Sequence, residues 1–493
     1  MAPLSTLTNA QLRDRIRGCI FGCAVGDAYG LATEFMTKRT AVRLYGNGPI
    51  AFGREPGYPV WEDDHRHIED RNDFTDDTDQ MLLILQSLNQ TGDGRLNPIN
   101  LACRLREWYH HGIPELGTDP GRGLGFTVGA VMDKNIFTTN PFRAAFEVWD
   151  QAGRNLAPNG AVMRTAVIGL ESFWDESRVV ENAMAAAKIT HADPRSVMSA
   201  LIASVLISRL LRGGGADAAI DSQRIWNARL SDPAYEQELL AYLQRGTNLR
   251  GEQSLNPPYD PLTPANRFEP KDYDALKLAL KEEEEAEAGG SHRAQFKDRD
   301  PRDWNKDRPE VILRPEIGWA GVDQVGEDAA MGALARSVVS DYLFLVIRTD
   351  VAPASTQAGE VVQQKWAQDL QAHCFPQNID QLALGNGAHL GYALKCVGVA
   401  YYGVTRRIDP SPTTLEYVGP VGLFRGLVEE VTLAGGDADT NCAAMGSLLG
   451  ARFGLESGMP EGWWKGMQHV SWLQKTIDQF ADRVLASYDA QNQ

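Results

Sequence analysis

Two segments near opposite ends of the chain carry glycines in a fixed step: Gly18, Gly22, Gly26 and Gly30, then Gly446, Gly450 and Gly454. A four-residue step lines the glycines along one helix face. The first segment also carries Leu12, Ile16, Cys19, Ile20 and Cys23 at helical spacing, which predicts an amphipathic helix over 12–25. Each glycine inside a helix costs about 1 kcal/mol relative to alanine. Such rows persist where another backbone must come close. The spacing therefore predicts two glycine-faced helices, one at each end of the sequence, each packed tightly. Packed on each other, they would draw remote segments into one site.

Apolar residues at helical spacing mark further helices at 79–88, 182–188, 197–211, 328–345, 361–370, 389–402, 423–433 and 439–452. Turns rich in Gly, Pro, Asn and Asp separate them. Strand-like alternation is sparse, and 338–347 reads as helix because of its alanine-rich lead-in. The expected fold is all-α. Residues 212–314 differ in composition, with Gly213-Gly214-Gly215, Pro257-Pro258, four glutamates at 282–285 and a polar block at 291–308. We read 1–211 and 315–493 as one helical domain and 212–314 as an elaboration of it. At 43% hydrophobic and 23% charged residues, a chain of 493 can bury a large core.

The formal net charge is −17, which argues against a broad nucleic-acid or anionic-membrane surface. No apolar run approaches the ~20 residues of a membrane span. Six cysteines are scattered without a CxxC pair and read as reduced, mostly buried thiols. The expected setting is the cytosol, or the nucleus. Oligomeric state is not encoded in these features.

Chemistry concentrates in two acidic clusters. Phe74-Thr75-Asp76-Asp77-Thr78-Asp79 precedes an apolar helix, and Gly435-Gly436-Asp437-Ala438-Asp439-Thr440 precedes the second glycine row. Helix capping alone needs one such residue, yet each helix start here gathers several carboxylates and a threonine. Packed carboxylates repel unless protonated or neutralised by a cation. Asp, Thr and water oxygens suit a hard divalent ion such as Mg²⁺ or Mn²⁺. An aspartyl-phosphate motif is excluded: two glycines precede Asp437, and position 441 is Asn441. Asp79, one step beyond the first cluster, reads as a first-turn acid favouring the helix dipole. His65-Arg66-His67 reads as a solvated loop, and Trp463-Trp464 as packing.

The chain resembles the ADP-ribosylglycohydrolases. Gly22-Cys23-Ala24-Val25-Gly26-Asp27-Ala28-Tyr29-Gly30 with Glu34-Phe35 is similar to that family's opening signature, and the two acidic clusters to its metal motifs. Pro158-Asn159-Gly160-Ala161-Val162-Met163-Arg164 looks like its asparagine–glycine loop, and Thr190-His191-Ala192-Asp193-Pro194 like its Thr-His segment. The motifs fall in family order across 18–454. The resemblance implies a compact orthogonal helix bundle with a binuclear Mg²⁺ or Mn²⁺ site. Thr75, Asp76 and Asp77 would ligate from one side, and Asp437, Asp439 and Thr440 from the other. Asn159, Gly160 and His191 would line an ADP-ribose pocket. Glu34 would act as general acid or base, with Asp77 beside it in the catalytic set. One departure stands out: relatives carry Asp-Ile-Gly-x-Thr where this chain reads Gly123-Leu124-Gly125-Phe126-Thr127.

The implied activity is metal-dependent hydrolysis of the glycosidic bond between ADP-ribose and a protein side chain, of arginine or serine type. The partner would be an ADP-ribosylated protein or ADP-ribose itself. Two alternatives stay open at this level: a catalytically silent ADP-ribose-binding relative, and a metal-dependent nucleotide pyrophosphohydrolase.

Overall fold

A computed structural model of the chain describes residues 5–63, 65–66, 71–117, 121–213, 234, 326–347, 357–408 and 419–492. Most of 212–314, including the glutamate run and the polar block, lies outside the described residues. The longer helices are α1 (Asn9–Gly30), α2 (Lys38–Tyr45), α3 (Asp76–Thr91), α4 (Pro98–His111), α5 (Phe126–Met132), α6 (Pro141–Gln151), α7 (Ala166–Leu170), α8 (Glu176–Lys188) and α9 (Pro194–Leu211). After the break come α10 (Ala329–Tyr342), α11 (Gln357–Cys374), α12 (Ala393–Thr405), α13 (Gly419–Ala434), α14 (Ala438–Phe453) and α15 (Val470–Asn492). Among the described residues the only sheet pairs the two-residue strands β1 (Met36–Thr37) and β2 (Gly435–Gly436). The chain is all-α, as the periodicity predicts.

The helices start where local chemistry says they should. Asn97 before Pro98, Asn140 before Pro141 and Asp193 before Pro194 each accept backbone N–H bonds at a helix entry. Thr8 and Gln11 form a reciprocal capping box on α1. The core is built around α9, every residue of which is buried. Among the described residues, α9 is the one helix long and apolar enough to cross a membrane, and it lies wholly inside the protein.

α1 and α14 pack antiparallel along their glycine rows. A Cβ on Gly22 would overlap the Gly446 carbonyl, and one on Gly450 would overlap that of Gly18. Further along, Gly26 meets the backbone of Cys442 and Gly30 that of Ala438. The two rows thus face each other rather than separate neighbours. This antiparallel run sets the end of α1 against the start of α14. Just beyond, Met36 pairs with Gly436 and Thr37 with Gly435. Gly435 and Gly436 have φ of +71° and +78°, and a Cβ on either would strike a backbone carbonyl. The ladder fixes Glu34 beside Asp437.

Candidate active site and metal centre

The convergence of α1, α3 and α14 assembles the acidic residues. Asp27 sits on α1 between the last two glycines of its row, and it crosses to the start of α3. It accepts the backbone N–H groups of Thr75 and Thr78 at 3.1 Å and their hydroxyls at 2.8 and 2.6 Å. Asp77 Oδ2 lies 3.4 Å from Thr75 Oγ1 and 3.3 Å from Thr440 Oγ1, so the two sequence clusters meet on this carboxylate. Two trios offer carboxylate oxygens within 4.8 Å of one another: Asp27, Asp77 and Asp439, and Glu34, Asp437 and Asp439. Asp439 belongs to both. Asp76 belongs to neither; its Oδ2 accepts from Gln80 Nε2 at 2.6 Å.

Capping does not account for these acids. Thr75 and Asp437 hold the N-cap positions of α3 and α14, yet neither side chain bonds its own helix end. The oxygens Asp77 Oδ1 and Asp439 Oδ1 are buried and have no hydrogen-bond partner. A buried carboxylate oxygen without a donor is costly, of order 1–3 kcal/mol or more. Burial, joined by neighbouring carboxylates, raises the pKa of Asp76, Asp77 and Asp439 well above the ordinary range. Asp437 is also raised by burial and by Glu34, and burial lifts Asp27 to about 6. Unpartnered oxygens in an all-oxygen donor set fit a hard divalent cation.

Glu34 follows a short helical turn at Leu31–Thr33 and is 9% exposed. Its Oε2 bonds His65 Nε2. The solvated loop expected around His65 and Arg66 is corrected here. Arg66 is buried, with Nε donating to the Ala32 carbonyl at 3.0 Å and a further N–H to the Glu34 carbonyl. Burial opposes charge on His65, but the Glu34 carboxylate and its hydrogen bond outweigh this and raise its pKa. Phe35 has φ +58°, is 54% exposed and tilts against the His65 ring.

Asn159 and Gly160 begin a short turn of helix that closes on the same centre. Asn159 Nδ2 donates to Asp437 Oδ2 at 2.7 Å. Gly160 faces His191: a Cβ there would stand 3.4 Å from its Nε2. Gly123 has φ +69°, and a Cβ would lie 2.6 Å from Asp76 Oδ1. An aspartate at that position would push one carboxylate onto another. Asp79 lies in the first turn of α3, as expected, but its partners come from the tertiary fold. It is fully buried, accepts Trp108 Nε1 at 3.0 Å and faces Arg122 Nε at 3.6 Å, and burial lifts its pKa to about 7. Its role is in the interior rather than at an open helix end. Trp463 stacks on Tyr29 at 4.5 Å inside the core, which is packing.

The structure thus draws Thr75, Asp77, Asp437, Asp439, Thr440 and Glu34 into one centre, with Asp76, Asn159, Gly160 and His191 around it. Asp27, His65 and Arg66 join them, and sequence reasoning gave none of the three a role. Fold and site together define an all-helical protein with an acid-lined, oxygen-only candidate metal centre. The family model of the ADP-ribosylglycohydrolases matches residues 8–282 and 318–493, and the chain belongs to that family. It is 28% identical over 206 residues to ADP-ribosylhydrolase ARH3 of Gallus gallus, covering 40% of this chain and 51% of that protein. It is 24% identical over 227 residues to ADP-ribosylarginine hydrolase Tri1 of Serratia proteamaculans, covering 44% of this chain and 53% of that one. The chain therefore spans about half the length of these two relatives. A solved chain titled ADP-ribosylglycohydrolase-related protein complex is 17% identical with a TM-score of 0.46, covering 96% of this chain and 99% of that one.

Proposed function

We propose that the protein is an ADP-ribosyl-acceptor hydrolase that releases ADP-ribose from a modified arginine or serine side chain, working in the cytosol or nucleus. The observation that carries this is the pair of buried, unpartnered oxygens on Asp77 and Asp439, in two carboxylate trios that share Asp439. Thr75, Asp76 and Asp77 from one side and Asp437, Asp439 and Thr440 from the other would hold two Mg²⁺ or Mn²⁺ ions, with Asp27 joining them. Such ions, when bound, supply positive charge that orients ribose hydroxyls and a water.

The chain's own groups carry the remaining steps. Asn159, Gly160 and His191 line the ADP-ribose pocket. Glu34 moves a proton at the leaving atom or the attacking water, and its charge stabilises positive charge developing at the anomeric carbon. Bond cleavage adds the water oxygen to that carbon and a proton to the acceptor side chain. The test is incubation of the protein with arginine- and serine-linked ADP-ribosyl peptides, with and without Mg²⁺ or Mn²⁺. Released ADP-ribose that disappears on chelation is expected. AMP as product, or turnover after exhaustive chelation, would sink the proposal.

A further inference from the structure

A buried chain of side chains runs from the acidic centre to His191. Gln80 Nε2 donates to Asp76 Oδ2 at 2.6 Å, while Gln80 Oε1 accepts from Arg164 at 2.7 Å. Arg164 turns a second nitrogen toward the Ala186 carbonyl at 3.0 Å and the Thr190 hydroxyl. Thr190 Oγ1 in turn lies 2.8 Å from His191 Nδ1. Arg164 and Gln80 are fully buried, and Thr190 and His191 nearly so.

The donors in this chain can run in only one direction. A guanidinium has no acceptor, so Arg164 must donate to Thr190 Oγ1. Among the described residues, the acceptor that meets the Thr190 hydroxyl proton is then His191 Nδ1. A proton on Nδ1 would instead strand the buried hydroxyl and leave a bare lone pair on Nε2. With Nδ1 accepting, the one unsatisfied group left on the imidazole is an N–H on Nε2, which is buried and unpartnered. That atom faces the side-chain-free surface of Gly160, next to the asparagine that bonds Asp437. A doubly protonated ring would set an N–H on Nδ1 against the Thr190 hydroxyl proton, and burial with the Arg164 charge lowers the His191 pKa in the same sense.

We propose that Arg164 and Thr190 are positioning residues that fix His191 as the tautomer protonated on Nε2, so that the site presents one oriented N–H donor to an acceptor oxygen of ADP-ribose. The choice of ligand rests on the function proposed above; the tautomer does not. Replacing the threonine removes the donor to Nδ1 without touching the acidic centre. A buried donor waiting for a ligand oxygen also explains why the structure tolerates the unmet bond.

The experiment is long-range ¹H–¹⁵N spectroscopy of the histidine side chains, with the His191 signals assigned from a His191→Gln variant. Calorimetric titration with ADP-ribose and with Mg²⁺ accompanies it. Wild-type protein is expected to show the Nε2–H tautomer. Thr190→Val should lose the fixed tautomer and bind ADP-ribose about tenfold more weakly, the scale of one net hydrogen bond. Its Mg²⁺ affinity should stay as in the wild type, and Thr190→Ser should restore both tautomer and affinity. An Nδ1–H or doubly protonated His191 in the wild type overturns the proposal, as does a Thr190→Val chain unchanged in tautomer and affinity. The wild-type spectrum decides the tautomer even if the valine variant fails to fold. An Nε2–H ring in a protein that binds no ADP-ribose upholds the tautomer and overturns the nucleotide reading.

Discussion

Glu34 and Asp79 are both buried acids near the centre, yet their partners assign them opposite roles. The Glu34 carboxylate belongs to the trio with Asp437 and Asp439 and bonds His65, so Glu34→Gln should lower kcat by roughly 10²-fold or more while metal affinity falls much less. Single-turnover kinetics beside metal titration reads both; wild-type turnover in this variant would end its assignment as proton carrier. Asp79 instead serves Trp108 and Arg122. Asp79→Ala should cost about 1–3 kcal/mol in denaturant unfolding by stranding the indole N–H, with metal binding retained. A variant of full stability, or one that loses metal, would contradict this. The clustering of the acids was legible because several carboxylates at a helix start exceed what a cap needs. Asp27 was not, because a single aspartate ending an apolar stretch looks like a helix boundary. Its position between Gly26 and Gly30 was the available signal: a charge on the face that must touch another backbone. His65 and Arg66 left no pattern at all, since their partners at Glu34 and Ala32 are set by tertiary folding.

At the scale of elements, the glycine rows were the most informative signal, because a backbone contact forbids every side chain and so marks the sequence at each step. Gly22→Ala should cost about 3 kcal/mol or more, since the new methyl meets the fixed Gly446 carbonyl. Gly129→Ala, also inside a helix, meets only Leu124 Cδ2 at 3.5 Å and should gain about 0.5–1 kcal/mol. Paired melting curves test the contrast, and equal effects would refute the packing argument. The nine helices expected from periodicity all occur. α2, α4, α5, α6, α7 and α15 were not anticipated, although in α15 Leu473, Ile477, Phe480, Val484 and Tyr488 repeat at helical spacing. Ion pairs between helices were invisible from sequence. Glu176 at the start of α8 joins Arg209 and Arg212 at the end of α9 and Tyr342 of α10. Burial opposes its charge, but the two arginines overcome this and lower its pKa from 4.5 to about 2. A depressed carboxylate stabilises the fold above its unfolded pKa and loses that stability as pH falls toward the folded value. Glu176→Gln should therefore cost about 3 kcal/mol at pH 7, a gap that closes as pH drops below the ordinary carboxylate range. A gap independent of pH would show that the charge is not what binds these helices.

For the molecule as a whole, the acidic centre imposes the opposite pH dependence. Asp27, Asp76, Asp77, Asp437 and Asp439 have folded pKa values raised above their unfolded ones, chiefly by burial. Between those values the metal-free folded chain holds more protons than the unfolded chain. Stability from these groups is fully present below the unfolded carboxylate range and is lost as pH rises through the raised values. A divalent cation must displace the same protons, so its binding releases them and strengthens with pH. The metal-free protein should lose thermal stability from pH 5 to pH 8, a window above the one in which Glu176 titrates. Added Mg²⁺ or Mn²⁺ should restore it, with a larger rise in Tm at pH 8 than at pH 5. Calorimetric titration in two buffers of different ionisation enthalpy counts the protons released. A metal-induced rise in Tm that is equal at both pH values, with no proton release, would mean that the carboxylates are already ionised in the metal-free fold. Their mutual repulsion would then have to be relieved by something other than protons.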